Sequence, residues 1–269
     1  MKIALIQQQA KEDKQINIQL GLDHIDSAAK KGAQGAVFAE LAFTRFFPQY
    51  HSREGWPDLA ESIPGPTTDL FCKKAVEYGM VIIPNLFEKD GDRYFDSSPL
   101  IDATGEILGI TRMMHITDYA CFYEKDYYTP GDGGAAVYET KAGKIGVAIC
   151  NDRHYPEYMR ALGVKGAELV VIPQAGTSGE WPHGLYEAEL QVASFQNGYF
   201  CALANRVGNE DKMTFSGKSF VTNPAGEVIG QSPAGQDDVL IVDIDLNEVQ
   251  DSHARKLFFR DRRPDIYPL

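Results

Sequence analysis

The chain has 269 residues, 43% of them hydrophobic, and its formal net charge at pH 7 is -12. This length and composition provide a sizeable core, whereas the acidic balance argues against nucleic acid or an anionic membrane as a partner, because both favour basic surfaces. We expect no transmembrane segment, since no apolar run is long enough, and no signal peptide, since the N-terminal apolar patch turns polar too soon.

Apolar runs and helical periodicity alternate along the chain. Strands are predicted at residues 2–8, 35–39, 81–87, 94–102, 107–116, 144–149, 168–173, 200–206, 219–222 and 239–245, and helices at 16–31, 67–78 and 182–196. No repeat or flexible linker interrupts them, so the alternation predicts a single α/β layered domain over residues 1–269. From about residue 247 the chain is charged and aromatic, and we expect an arm that lies across a partner subunit.

The four cysteines, Cys72, Cys121, Cys150 and Cys201, are widely spaced and form no CxxC pair. This spacing argues against a zinc site or a disulfide framework and is typical of a reducing compartment. We therefore expect a cytoplasmic protein without a metal, and nothing in the sequence indicates an organic cofactor.

A carboxylate directly follows the second predicted strand. Glu40 is either an ordinary cap or surface group, or it lies in an apolar pocket formed by the aromatic residues 41–48 that come after it. In such a pocket its pKa would be raised, which would make it a usable base near neutral pH.

The strand predicted at residues 144–149 ends on Cys150, and Pro156 suits the first turn of a following helix. This pattern predicts a sharp strand-to-helix turn that exposes the cysteine, lets the Asn151 amide face a developing oxyanion, and favours the thiolate through the helix N-terminus. The alternative is a buried structural cysteine. The polar residues 151–154 favour the chemical interpretation.

Two loops complete the set of candidate residues. The aromatic and acidic loop 117–133 contains Tyr123 and Glu124, and the polar exit from the strand at 168–173 contains Gln174 and Trp181. We take Tyr123, Gln174 and Trp181 as candidate substrate-binding residues, and Glu124 as a candidate for the reaction site.

Four segments resemble the nitrilase, or carbon–nitrogen hydrolase, superfamily: FAELAFTRFFP at 38–48, FYEKDYYTPGD at 122–132, CNDRHYPE at 150–157, and ASFQNGYF with ANRVG within 193–208. They span nearly the whole chain in the order of the family. The resemblance implies a four-layer α-β-β-α sandwich that assembles into dimers or larger homo-oligomers. It also implies amide hydrolysis through a thioester, with Glu40 as base, Cys150 as nucleophile and Glu124 as the second glutamate that orients the site.

One position departs from this pattern. The catalytic lysine of the family lies in a segment similar to residues 111–115, and Met113 stands at its place here. Methionine keeps much of the shape of lysine and removes the charge, and loss of one oxyanion donor typically costs about 10²–10³ in rate. No neighbouring side chain is an obvious replacement. Arg112 should face the other side of the sheet, and His115 lies two residues further along the strand. Lys125 has a separate place in the family motif. Met113 marks either a natural relative with lost or altered activity or a variant inactivated on purpose.

The residues after Cys150 resemble the branch that hydrolyses N-carbamoyl amino acids, in which arginines hold the substrate carboxylate. Arg153 matches one of them, but His154 replaces the second, and Ala175 and Gly176 replace a polar pair. A carbamoyl β-amino acid, a carbamoyl amine or a simple aliphatic amide stays open as substrate. Arg153 has the alternative of a salt bridge to Asp152 or Glu157, and the whole chain has the alternative of an inactive amide- or acid-binding protein on the same fold.

Overall fold

The computed structural model describes residues 1–266, which form fifteen strands and five α-helices. The strands are β1 (Lys2–Gln7), β2 (Gly35–Phe38), β3 (Val81–Ile83), β4 (Leu86–Asp90), β5 (Arg93–Ile101), β6 (Ile107–Arg112), β7 (Val137–Thr140), β8 (Gly143–Val147), β9 (Leu169–Gln174), β10 (Phe200–Asn205), β11 (Val207–Glu210), β12 (Met213–Ser216), β13 (Phe220–Thr222), β14 (Val228–Gln231) and β15 (Asp238–Asp243). The helices are α1 (Lys14–Lys30), α2 (Pro66–Tyr78), α3 (Pro156–Val164), α4 (Leu185–Asn197) and α5 (Asn247–Asp251).

Two large sheets form the centre of the molecule. The first has the order β15-β1-β2-β3-β5-β4 with β6 paired to β5, and the second has the order β14-β13-β10-β9-β8-β7. Aliphatic side chains of both sheets, among them Val37, Leu100, Val147 and Val171, pack into one core cluster between them. The inward residues of both sheets are thus removed from water, which is the main favourable term in folding.

Helices cover the outer face of each sheet. α1 and α2 pack on the first sheet through a cluster in which the rings of Phe38, Phe43 and Phe71 contact one another at centroid distances of 5.1–5.3 Å. α3 and α4 pack on the second sheet around Met159, Leu162 and other apolar side chains. The four layers are therefore helix, sheet, sheet and helix, as the family resemblance implied.

The functional residues gather at one edge because the central strands of each sheet are parallel. β1, β2 and β3 run parallel and are connected by α1 and α2, while β8, β9 and β10 run parallel and are connected by α3 and α4. The carboxyl ends of parallel strands lie at the same edge of a sheet. Glu40 follows β2, Cys150 follows β8, and Gln174 ends β9.

Several predicted bounds are wrong for local reasons. The strand predicted at 81–87 is divided into β3 and β4, and Asn85 lies between them with its side chain turned into the interior. The helix predicted from 182 begins at Leu185, because Gly184 has a left-handed backbone with φ of 82°. The strand predicted to reach 116 ends at Arg112. The hairpin of β11 and β12 was not predicted, since these strands are short and partly polar.

The segment predicted as an arm folds back on its own chain over its described part. Val249 and Ala254 are buried, and the Arg255 guanidinium donates to the carbonyl oxygens of Gly163 and Ala167 at 2.9 and 2.7 Å. Residues 267–269, the end of the predicted arm, lie outside the described residues.

Candidate active site

Cys150 occupies a sharp turn after β8. Its φ is +42°, a conformation that L-residues other than asparagine and aspartate rarely adopt, and the chain continues as a 3₁₀ turn over Cys150–His154 before Pro156 begins α3. A strained backbone of this kind persists only where its surroundings fix it, and it is frequent at reactive sites.

Asp152 and its neighbours tie this turn to the segment that follows β6. The buried Asp152 carboxylate accepts hydrogen bonds from the backbone N–H of Met114 and His115 at 3.2 and 3.0 Å, and its Oδ1 lies 2.7 Å from His115 Nδ1. The Asn151 side chain donates to the His115 carbonyl oxygen at 2.7 Å. The turn that carries the thiol is therefore held against the backbone next to Met113.

The Cys150 side chain is buried, with 6% of its surface exposed. Burial and the negative charges of Glu40 and Glu124 raise the pKa of the thiol well above its usual value, although the Arg153 charge and the Ala175 backbone N–H act in the opposite direction. The expectation that a helix N-terminus would favour the thiolate is wrong: α3 begins only at Pro156, and the acids beside the thiol dominate. The thiol therefore needs a base to become a nucleophile.

Glu40 is such a base candidate, fully buried two residues after the end of β2. Burial raises the pKa of Glu40 to about 8, the charge of Glu124 adds to this rise, and polar contacts with the Cys150 thiol and the Asp96 carboxyl act against it. Neither carboxylate oxygen has a hydrogen-bond partner among the described residues. Glu40 thus combines contact with the thiol and a pKa near neutrality, the two properties that a general base requires.

Arg206 fixes the backbone around Glu40 from the opposite sheet. Its buried guanidinium donates to the carbonyl oxygens of Glu40, Leu41 and Thr44 at 2.9, 2.6 and 2.9 Å and also contacts the carboxylate of Glu210. Arg206 follows β10, so this contact joins the base on the first sheet to the second sheet.

Met113 is fully buried in the core cluster that includes Cys150. Its N–H donates to the Asp96 carbonyl oxygen at 2.9 Å, and its carbonyl oxygen accepts from the Gly131 N–H at 2.8 Å. No lysine among residues 1–266 is buried, and Lys125 is exposed. Met113 and Cys150 therefore belong to one apolar cluster, and no lysine of the described residues is buried with them.

Glu124 begins a 3₁₀ turn and is fully buried. Its Oε2 accepts a long hydrogen bond from the Thr117 N–H at 3.4 Å, and its Oε1 has no partner among the described residues. Burial and the nearby charge of Asp96 raise the pKa of Glu124 well above its usual value.

Two further polar groups, which the sequence did not reveal, face the same interior. Asp96 on β5 is 1% exposed; its Oδ1 accepts from the Asn85 side-chain amide at 2.6 Å, while its Oδ2 has no partner among the described residues. The buried Tyr128 hydroxyl also has no partner within residues 1–266, and burial together with the charges of Asp96 and Glu124 raises the pKa of Tyr128. Polar residues inside an otherwise buried strand, as in residues 95–98, are the signal that could have identified Asp96.

Arg153 supports the turn instead of pairing with Asp152 or Glu157, the salt bridges considered from sequence. It is 3% exposed, and its Nη1 donates to the Cys150 carbonyl oxygen at 2.9 Å and to Gln174 Oε1 at 2.6 Å. Its Nε donates to Glu189 at 3.1 Å. Arg153 therefore couples the nucleophile's backbone to the end of β9 and to α4.

A carboxylate bridge joins two segments near the thiol. The hydroxyls of Tyr119 and Tyr186 donate to the two carboxylate oxygens of Glu180 at 2.6 and 2.5 Å, which joins the loop 117–123 to the segment before α4. We call these three residues the tyrosine–glutamate bridge. Beside it lies a cleft of about 670 Å³ lined by Asn151, Trp181 and other side chains.

The candidate substrate-binding residues are not all in one place. Gln174 is buried behind the thiol, and Trp181 is 39% exposed at the cleft, with its ring 5.6 Å from that of His154. Tyr123 instead stacks on His51 at 3.9 Å between ring centroids and does not line this cleft.

Within residues 1–266 no group of three or more histidine, cysteine, aspartate or glutamate side chains has a geometry suited to a metal ion. No helix of the same residues is long and apolar enough to cross a membrane.

Comparison with known proteins identifies the family to which the chain belongs. The carbon–nitrogen hydrolase family profile matches residues 2–254. The citrullinase of Francisella tularensis is 32% identical over 99% of this chain and 96% of its own length, and the N-carbamoylputrescine amidase of Solanum tuberosum is 32% identical over 99% of this chain and 93% of its own length.

Solved structures show the same architecture. The carbon–nitrogen hydrolase from Helicobacter pylori G27 superposes with a TM-score of 0.93 at 30% identity, covering 99% of this chain and 97% of that one. A glutamate-to-glutamine mutant of the amidase from Nesterenkonia sp. AN1 superposes with a TM-score of 0.83 at 25% identity, covering 99% of this chain and 95% of that one. In that mutant the acetamide moiety of fluoroacetamide is covalently attached to the active-site cysteine.

Proposed function

Because the chain belongs to the carbon–nitrogen hydrolase family, we propose that it hydrolyses a small, non-peptide amide or N-carbamoyl bond through a thioester on Cys150. The observation that carries the proposal is the buried contact between Glu40, with its pKa near 8, and a thiol on a strained turn. No other pair of groups described above combines a nucleophile with a base in this way.

The reaction follows from the positions of these groups. Glu40 takes the thiol proton, the sulfur attacks the carbonyl carbon, and the resulting oxyanion faces the Asn151 backbone N–H. Glu40 returns the proton to the leaving nitrogen as the C–N bond breaks, and ammonia or an amine departs. A water molecule then gives its proton to Glu40 and attacks the thioester carbon, which releases the acid and restores the thiol.

Met113 makes this reaction slow in our proposal. A lysine at this position would place an ammonium against the oxyanion and beside three buried acids, whereas a thioether supplies neither charge nor donor. Loss of one oxyanion donor corresponds to about 10²–10³ in rate. The same observation favours a second candidate function, in which the pocket binds an amide or acid without turning it over.

The substrate class is proposed from the relatives. One acts on citrulline and another on N-carbamoylputrescine by name, and both compounds carry a terminal ureido group. We propose a substrate of that size, approached through the cleft beside Trp181, with Gln174 and Arg153 shaping the wall behind the thiol. Simple aliphatic amides stay in the proposal because the Nesterenkonia sp. protein is an amidase.

Assembly and location are part of the same proposal. Phe195 and Phe258, which do not line the substrate cleft, expose their rings side by side, and a homodimer or larger homo-oligomer would cover them. All four cysteines are free thiols, which the reducing cytoplasm would preserve.

Two measurements test the function. Intact-protein mass spectrometry after incubation with fluoroacetamide should show one adduct on the native chain and none on Cys150→Ala. Ammonia release is then followed with citrulline, N-carbamoylputrescine, 3-ureidopropionate and acetamide. Adduct formation and turnover support the hydrolase; calorimetric binding without turnover supports the second candidate; absence of both adduct and binding overturns the assignment of the site.

A further inference from the structure

We propose that Asp96 is a positioning residue of this site, and that its carboxyl shares one proton with Glu40 in place of the ammonium group that Met113 does not supply. The proton sharing concerns the two carboxyls alone. The role of Glu40 as base rests on the proposed function, so the proton sharing and the base function are tested separately.

Asn85 holds the two acids together. Its Oδ1 accepts from the Leu41 N–H at 2.6 Å, one residue after Glu40, and its side-chain amide donates to Asp96 Oδ1 at 2.6 Å and to Ser98 at 3.1 Å. One amide thus fixes the backbone beside Glu40 and the carboxyl of Asp96 at the same time. The remaining oxygen of Asp96 is left for Glu40.

The unpartnered oxygens indicate a shared proton. Both oxygens of Glu40 and Oδ2 of Asp96 are buried and have no donor among the described residues, although the two side chains lie within hydrogen-bonding reach of each other. Ionised carboxylates are acceptors without a hydrogen to donate, so two of them in contact leave both unsatisfied. One proton between them supplies a donor and removes one negative charge, as in carboxyl pairs that cannot both ionise.

The other charged groups around Glu40 and Asp96 do not make the shared proton unnecessary. Glu124, Asp152 and the Cys150 thiol add negative charge when ionised. Arg206 is the cation that acts on Glu40, but its guanidinium binds backbone carbonyl oxygens and the carboxylate of Glu210. The surroundings of the pair are therefore acidic overall, and a proton is the charge that compensates them.

The pairing has a defined consequence for Glu40. The Asp96 carboxyl lowers the pKa of Glu40, because its proton donates to the Glu40 carboxylate. An amide at position 96 keeps the hydrogen bond from Asn85 and a donor toward Glu40, whereas alanine removes both. Asp96→Ala should therefore raise the pKa of Glu40, so that Glu40 acts as base only at higher pH, and Asp96→Asn should leave this pKa nearly unchanged.

The first test uses the reactivity of Cys150. The rate of acrylamide addition is measured from pH 5 to 10 in the native chain, in Asp96→Ala, in Asp96→Asn, and in the control Asp102→Asn, which changes a buried acid that accepts from the Lys141 N–H outside the site. We expect the midpoint of the profile to rise by about one pH unit or more in Asp96→Ala, equal to about a tenfold slower reaction below the midpoint, and to stay nearly unchanged in Asp96→Asn and in the control. An unchanged or lower midpoint in Asp96→Ala overturns the proposal.

The second test does not depend on catalysis. The slope of the unfolding free energy against pH counts the difference in bound protons between the unfolded and native states. Between pH 5 and 8 the slope should be less negative in Asp96→Asn than in the native chain, by the amount that corresponds to about one bound proton. An identical slope would show that Asp96 binds no proton in the native state. If Cys150 proves inert at every pH, the proposed function fails, while this slope still decides the role of Asp96. Asp96→Ser gives the same slope test if the asparagine variant does not fold.

Discussion

His115 Nδ1 and Asp152 Oδ1 are 2.7 Å apart, although their residues belong to segments that follow different sheets. His115 lies two residues after Met113, and Asp152 lies two residues after Cys150. The position of residue 113 relative to the nucleophile is therefore set by backbone and side-chain contacts that do not involve the Met113 side chain. A substitution at position 113 should change the chemistry of the site without moving its backbone.

Met113→Lys is expected to raise kcat by about two orders of magnitude or more, with a smaller change in KM. An oxyanion donor acts mainly in the transition state, and the buried Glu40 and Glu124 would keep the new ammonium charged. Steady-state ammonia release checks this. The matched control is Met114→Lys, which places the same charge on the neighbouring residue that packs against the outer cluster of the second sheet. Equal activity in the native chain and Met113→Lys would show that another group already stabilises the oxyanion.

Glu40→Gln is expected to abolish turnover and to stabilise the protein at alkaline pH. The pKa of Glu40 is about 8 in the folded chain, above its ordinary value of 4.5, so the folded state holds a proton that the unfolded state has already released. The native chain therefore loses stability as pH rises from about 4.5 to 8, and the neutral glutamine does not take part in this loss. Thermal unfolding at pH 5 and pH 9 measures the effect; a melting temperature that is equally shifted at both values would contradict it.

Arg153→Ala is expected to reduce the unfolding free energy by about 3–5 kcal/mol, because it leaves buried acceptors without their donor. The affected acceptors are the Cys150 carbonyl oxygen, Gln174 Oε1 and the Glu189 carboxylate. Urea unfolding monitored by circular dichroism provides the value. Arg93→Ala is the comparison, since Arg93 is half exposed and pairs with exposed acids, and should cost less than about 1 kcal/mol. Similar losses in both variants would argue against a supporting role for Arg153.

Tyr186→Phe is expected to open the tyrosine–glutamate bridge. The variant keeps the ring over Arg153 and removes the hydroxyl that donates to Glu180. A lost hydrogen bond of about 1 kcal/mol corresponds to about a fivefold shift in the opening equilibrium. The rate of Cys150 alkylation by a bulky maleimide should rise by that factor, with Tyr138→Phe, a hydroxyl change outside the bridge, as control. A rate unaffected by the Tyr186 change would place the access route elsewhere.

The sequence predicted most of the layered fold because its helices and central strands have strong periodicity. α1 and α2 and the strands β1, β2, β5 and β10 lie within a residue or two of their predicted bounds. The misplaced bounds occur where one residue overrides the pattern, as at Gly184, whose left-handed backbone delays α4.

The site was harder to predict from the sequence, because its geometry depends on contacts between residues that are far apart in the chain. Arg153 pairs with Glu189, thirty-six positions away, and not with the acids beside it in sequence. Asp96 resembles any polar residue on a strand until the structure shows it buried against Glu40. The direction of the Cys150 pKa also depends on such neighbours, and a local argument from the helix N-terminus gave the opposite sign.

Arg206 affects how the molecule opens, because its side chain contacts the backbone of Glu40, Leu41 and Thr44. This guanidinium lies on the second sheet and holds the loop of the first, so the two halves share buried hydrogen bonds as well as apolar contacts. Separation of the sheets would leave three buried carbonyl oxygens without their donor at once, and the guanidinium would keep only the carboxylate of Glu210. Amide protons next to the base and next to the thiol should therefore exchange with deuterium only through global unfolding, at one common rate, while those of the exposed β14 hairpin exchange earlier through local opening.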